Sequence, residues 1–231
     1  MSPHSWEIVQ QRANSCLIAI VAPPVGISID WALSWGTMEK PQPWDAMRLS
    51  GLPWDIARTQ AAIQCLNGGY QFLFFLDSDV LAPKETIPHL LSHHLPIVSG
   101  LYHQRFPTWT GVVGDYMPCM FNEKVDDKGN RVKEPILDFK PGSLVEAALV
   151  PAGCLLIHRS VFERMAQAGI KRYFEWTLQV DSEPPGSGMS EDFAFCDKAR
   201  SLGFKCFVDS SIICIHETGA QVTAKGLLPK L

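Results

Sequence analysis

The chain has 231 residues, 46% hydrophobic and 19% charged, with a net charge of −4 at neutral pH. That size and balance suit one large globular domain or two small ones with a substantial core, and they exclude a disordered chain. The mild acidity gives no general pull toward nucleic acid or an anionic membrane, and no apolar run approaches the roughly 20 residues that span a bilayer.

The first residues, MSPHSWEIVQQRANS, carry neither the basic start nor the long apolar stretch of a signal peptide. The seven cysteines include no CxxC pair, and most sit in apolar stretches, where a thiol acts as a small buried hydrophobe. The expectation is a reduced, cytoplasmic protein without a structural zinc site.

Cys16 to Ala22 (CLIAIVA) reads as a first buried strand that ends at Pro23-Pro24. The tryptophan-rich stretch that follows, to about Pro53, favours neither helix nor strand. Trp54 opens a helix, with apolar residues at Ile56, Ala57, Ala61, Ile63 and Leu66 and a stop at Gly68-Gly69. Phe72 to Leu76 is the next strand, Pro83 to His94 a second helix, and PIVSGLY another strand. His89, His93 and His94 fall on or near that helix and read as surface groups.

Residues 114–143 are polar and turn-rich, which predicts an exposed hairpin with Lys128-Gly129-Asn130 at its tip. LVEAALVPAGCLLIHRSVF returns to strand character and enters a helix near Ser160. Asp181 to Ser190 (DSEPPGSGMS) is a candidate lid. Ser190 is placed to cap a helix that has Glu191 and Asp192 in its first turn and ends at Gly203. FKCFVDSSIICIH forms a last strand region leading to His216. Strands alternating with helices predict an α/β sheet, whose ligands bind beyond the carboxyl ends of the strands.

Asp77-Ser78-Asp79 sits at such an end. Two carboxylates in D-x-D repel unless something positive lies between them, and a divalent cation does this well. Oxygen ligands suit Mg²⁺ or Mn²⁺, and one added imidazole from His216 tilts the preference toward Mn²⁺. The plain alternatives are a solvated turn for the tripeptide and a hydrogen-bonded structural role for the histidine. Glu191-Asp192 has a plain reading as acids at a helix N-terminus and a functional one as a general base. Arg58 is either a surface charge or a planar fork for a phosphate or a base edge.

Taken in order, CLIAIVAPP, GLPWDIARTQ, FLFFLDSDVLAP with PIVSGLYHQR, VPAGCLLIHRSVFERM and SEDFAFCDKARSLGFKCFVDSSIICIH resemble the GT-A glycosyltransferases, in particular the small family-2-like enzymes of bacteria and phages. The resemblance implies a GT-A (Rossmann-like) mixed sheet flanked by helices in a single domain spanning 1–231. Its nucleotide-binding half would be about 15–110 and its acceptor half about 111–219. It further implies a nucleotide-diphosphate-sugar donor, with UDP-sugars favoured, and Mn²⁺ or Mg²⁺ as cofactor. Asp79, Asp77 and His216 would be the metal ligands. Pro23, Arg58, Asp77, Ser78, Ala152 and Gly153 would contact the nucleotide-sugar, and Arg105 would reach its sugar or phosphates. Asp192 matches the catalytic base of inverting members, and Glu191 an acceptor-binding neighbour. The chain departs from the family in having Ala57-Arg58-Thr59 where many relatives carry A-R-N.

The implied reaction is inverting transfer of one hexose to an acceptor hydroxyl, since no long acceptor or membrane domain follows His216. The acceptor could be a saccharide, a protein, a lipid-linked molecule or a hydroxylated DNA base. Trp31, Trp35, Trp44, Trp54, Trp109 and Trp176 are candidate stacking platforms. Two other readings stay open. One is a haloacid-dehalogenase-like phosphatase, although its usual Thr or Val at the fourth position after the first Asp is here Leu81. The other is a non-catalytic nucleotide-sugar-binding module.

Overall fold

The computed structural model describes residues 15–23, 26–104, 117–127, 129, 131–178, 188–217, 220–223 and 226–229. The first half runs β1 (Cys16–Ala22), α1 (Ile29–Thr37), β2 (Trp44–Ser50), α2 (Trp54–Asn67), β3 (Phe72–Asp77), β4 (Val80–Leu81), α3 (Thr86–Ser92) and β5 (Ile97–Leu101). The second runs β6 (Phe121–Val125), β7 (Arg131–Pro135), β8 (Leu144–Ala147), β9 (Cys154–His158), α4 (Arg159–Gln167), β10 (Thr177–Leu178), β11 (Gly188–Met189), α5 (Glu191–Ser201), β12 (Cys206–Ile213) and β13 (Ile215–His216), and closes with the β14 (Ala220–Thr223) and β15 (Gly226–Pro229) pair.

Seven strands form the central sheet in the order β2-β1-β3-β9-β5-β12-β8. β2, β1 and β3 are parallel, β9 is antiparallel to both β3 and β5, β5 and β12 are parallel, and β8 closes the edge antiparallel to β12. The chain leaves β1 for β2 on one side and returns to β3 on the other. That reversal opens a crevice at the carboxyl ends of β1 and β3, where open α/β sheets place ligands.

The inner strands β1, β3, β9 and β5 are apolar on both faces because both faces are covered. Leu73 and Phe75 of β3 face one core, shared with Ala57, Ala61, Ala62 and Cys65 of α2, Phe162 of α4 and Phe195 of α5. Phe74 and Leu76 face the other, shared with Trp31 of α1 and Ile87 and Leu90 of α3. Small residues on the inner side of α2 let that helix lie close to the sheet. All seven cysteines are buried and free of disulfides, as their apolar surroundings predict.

The unassigned tryptophan-rich stretch contains α1 and β2. β2 is an edge strand in which Leu49 alone is buried, so it has no alternating signal, and its register comes from pairing with all of β1, from Cys16↔Trp44 to Ala22↔Ser50. The second helix is shorter than Pro83 to His94, beginning only at Thr86. The hairpin forms as β6 and β7, with Gly129 at φ +84° in its turn. Lys128 and Asn130 lie outside the described residues, as do Arg105, Trp109 and most of the candidate lid. Ser190 stands at the N-cap of α5, but its hydroxyl bonds the Asp192 carboxylate and not a helix N–H.

Phe75 is fully buried, with its ring 5.3 Å from that of Phe174. Phe75→Ala is expected to lower unfolding stability by about 3–5 kcal/mol, from lost burial and the cavity left behind. Urea unfolding followed by tryptophan fluorescence measures it.

Candidate active site

Side chains alternate along a strand, so Asp77 continues the Leu73–Phe75 face and points toward α2. There it meets Arg58. The guanidinium is buried, packs 5.1 Å from the Phe75 ring, and has its fork filled by the protein. Nη2 donates to both Asp77 carboxylate oxygens, at 3.0 and 2.9 Å. Nε donates to Glu191 Oε1 at 3.3 Å, and Nη1 to the Ala152 carbonyl at 3.3 Å. Burial disfavours the charge on Arg58, but Asp77 and Glu191 outweigh it and hold the group protonated beyond its ordinary range. In this structure, then, Arg58 joins α2, β3, α5 and the loop before β9.

The D-S-D turn is pinned by backbone bonds. The Asp77 N–H donates to the Gly153 carbonyl at 2.9 Å, and the Ser78 N–H to the Val21 carbonyl at 3.0 Å. Trp31 Nε1 donates to the Asp77 carbonyl at 2.9 Å. Trp31 is therefore a buried support and not the exposed platform expected of it. The Gly153 N–H donates to Tyr102 Oη at 2.9 Å, and a Cβ on Gly153 would sit 2.5 Å from that oxygen. The Ala152-Gly153 turn is thus small because Tyr102 lies against it. Burial, and next the Asp77 charge, push the Tyr102 hydroxyl well above its usual pKa, so it stays protonated.

Asp79 and His216 come together through β4 and β13, which pair antiparallel with His216 opposite Val80. The Glu217 N–H donates to the Asp79 carbonyl at 2.7 Å and closes the pair. His216 Nδ1 lies 2.9 Å from the His103 carbonyl, and the ring stands edge-on to Tyr102. A carbonyl can only accept, so Nδ1 carries the proton, and Nε2 is the nitrogen left to act as a ligand when the ring is in its neutral tautomer. Nε2 is 3.9 Å from Asp79 Oδ2. One divalent ion about 2 Å from each would draw this oxygen and nitrogen together to about 3.0–3.4 Å, a closure of roughly half an ångström or more.

Glu191 is buried at the start of α5. Burial raises its pKa, the neighbouring Asp192 raises it further, and Arg58 opposes both. Asp192 accepts from the Phe193 N–H at 2.8 Å and from the Ser190 hydroxyl. Pro23, Ser78, Asp79, Asp192 and His216 line one cleft of about 520 Å³, with Arg58, Asp77 and Glu191 in its wall and Tyr102 at its base. Trp54 and Trp176, both largely exposed, also line it. Tyr102, Trp31 and the His103 carbonyl carry no sequence signal, because their roles depend on partners distant along the chain.

No protein-family model matches the sequence, and no curated protein matches it. Among solved structures the chain is similar to the crystal structure of A197 from STIV, with a TM-score of 0.55 and 14% identity over 93% of this chain and 94% of that one. Weaker is the likeness to the crystal structure of GalNAc-T7 with UDP, GalNAc and Mn²⁺, with a TM-score of 0.46 and 12% identity over 88% of this chain. It spans only 43% of that protein. The strand order and the likeness to A197 establish the fold, a single GT-A (Rossmann-like) domain with a mixed seven-stranded sheet flanked by helices.

Glu191 gives a pH prediction. Its pKa is raised on folding, so between the unfolded carboxyl value and the raised one the folded chain binds more protons than the unfolded chain. Its contribution to stability is therefore full at acid pH and lost as pH rises through that window. Glu191→Gln is expected to flatten this part of the stability–pH curve, measured by denaturant unfolding at a series of pH values. Arg58→Met leaves the buried Glu191 and the partly buried Asp77 without their cation and is expected to cost about 3–5 kcal/mol in the same assay.

Proposed function

We propose that the protein is a metal-dependent glycosyltransferase that moves a sugar from a nucleotide-diphosphate donor, UDP-sugars favoured, to an acceptor hydroxyl with inversion. The observation that carries this reading is the meeting of Asp79 and His216, 3.9 Å apart, in the same cleft as Asp192 at the end of β3. Residues from about 15–110 would hold the nucleotide, and those from about 111–219 the acceptor.

Asp79 and His216 would hold Mn²⁺ or Mg²⁺, with the imidazole favouring Mn²⁺. Bound there, the ion supplies positive charge for the diphosphate as it leaves. Asp77, fixed by Arg58, faces the nucleotide side of the cleft together with Pro23 and Ser78. Arg58 acts through Asp77 and Glu191 as a positioning residue. Ala152 and Gly153 would lie beneath the sugar, with Tyr102, which their small size admits, between that turn and the cleft. Trp54 or Trp176 offers a face on which a base or an acceptor ring stacks.

Asp192 takes the proton from the acceptor hydroxyl, whose oxygen attacks the anomeric carbon from the face opposite the departing diphosphate. Asp192 suits this better than Glu191, whose carboxylate is buried and tied to Arg58. No described helix is long and apolar enough to cross a membrane. We place the reaction in the cytoplasm.

Thermal melting with UDP, GDP, CDP or dTDP, each with and without Mn²⁺, tests the site. One nucleotide is expected to raise the melting temperature only with Mn²⁺. Asp79→Ala is expected to abolish that metal dependence, and the absence of any nucleotide shift would refute the donor site. Asp192→Asn is expected to keep the melting shift and lose about 10²–10⁴-fold in sugar transfer. Full transfer by this variant, with loss in Glu191→Gln, would move the base to Glu191. A binding module without catalysis would show the shift but no turnover of the stabilising donor class in the wild type.

A further inference from the structure

Away from the cleft, α3 presents His89 and His93 one turn apart on a single face, as i, i+4 spacing dictates. Both Nε2 atoms converge on one oxygen of Asp209 in β12. His93 Nε2 lies 2.6 Å from Asp209 Oδ2, and His89 Nε2 lies 3.0 Å from the same atom. The rings sit 5.4 Å apart, and the three donor atoms lie within 4.8 Å of one another.

Asp209 is buried, whereas His89 is 42% and His93 23% exposed at the side chain. The other carboxylate oxygen, Oδ1, is occupied by the Ser211 N–H at 2.8 Å and the Ser211 hydroxyl at 2.6 Å. Oδ2 is thus held in place and aimed at the two imidazoles. A buried carboxylate needs positive charge beside it. Among the described residues, the ion pairs of Asp209 are with these histidines alone, and a cation held by all three groups would add charge at the same oxygen.

We propose that His89, His93 and Asp209 form a second metal site, which takes Zn²⁺ with a water as fourth ligand. Two imidazoles and one carboxylate are a zinc-type donor set, unlike the carboxylate-rich cleft. Ligands about 2.0–2.1 Å from a tetrahedral ion stand about 3.3–3.4 Å apart, so the oxygen–nitrogen spacings here need open by only a few tenths of an ångström or somewhat more. Each ring turns its proton to Nδ1 as Nε2 binds. The second-sphere bonds from Ser211 hold the carboxylate in the required orientation.

The ion ties α3 to β12 where the pairing of β12 with β5 becomes irregular, between Asp209 and Ile213. That is the segment that leads on to His216. The site's role is to brace this segment from outside the cleft. The inference stands independently of the proposed reaction.

The test uses the full chain carrying Asp79→Ala, which removes the cleft's own metal-binding pair, and titrates Zn²⁺ alone against a chromophoric chelator. One equivalent of Zn²⁺ is expected to bind and to raise the melting temperature. His89→Gln and His93→Gln, added singly, are each expected to weaken binding at least tenfold while the metal-free melting temperature stays near its starting value. Because those side chains are partly exposed, the variants keep the test open even where Asp209→Asn fails to fold. Absence of Zn²⁺ binding in the Asp79→Ala chain, or unchanged affinity in the His89→Gln/His93→Gln double variant, would overturn the proposal.

Discussion

The buried guanidinium of Arg58 is the constraint on which the rest of the cleft depends. Asp77 and Glu191 arrive on different elements, and two carboxylates brought into a core would repel and would each lose hydration. A planar, permanently charged fork between them turns that repulsion into three hydrogen bonds to the carboxylates, with a fourth to the Ala152 carbonyl. It also sets positions. With Asp77 fixed from α2, the turn to Asp79 begins at a defined point, and with Glu191 fixed, Asp192 enters the cleft at a defined height.

Packing makes that fork reachable. The inner face of α2 is built from Ala57, Ala61, Ala62 and Cys65, so the helix approaches β3 closely. Phe75 supplies an aromatic face beneath the guanidinium, and Phe174 meets Phe75 edge-on. On the other side of the sheet, Trp31 fills the second core and still spends its one donor on the Asp77 carbonyl. The cleft wall therefore rests on two cores at once, and strain in either reaches the D-S-D turn.

Much of the scaffold was legible in the sequence because its strands are buried on both faces. CLIAIVA and FLFFL are unbroken apolar runs, and α2 ends at its glycine stop, although its buried face is Ala57, Ala61, Ala62 and Cys65 while Ile56 and Ile63 of the expected stripe lie exposed. The stretch to Pro53 was not legible, because β2 is exposed and borrows its order from β1, while α1 is anchored chiefly through Trp31 and the Ser28 cap. His89 and His93 look like surface groups on a helix until Asp209, more than a hundred residues later, is set against them. Ser190 looks like a conventional cap, yet its hydroxyl turns to Asp192.

The sequence by itself determined the alternation of strands and helices, the placing of Asp77-Ser78-Asp79 at a strand end, and the presence of Glu191-Asp192 at a helix start. These follow from local periodicity and from residues that punctuate the chain. Only the tertiary structure decided what each charged group faces. Whether Arg58 grips a ligand or the protein, whether His216 reaches Asp79, and whether two histidines share one carboxylate all depend on strand order and sheet reversal. Those bring together atoms that no local pattern relates, because electrostatic pairing is set by distance through space and not along the chain.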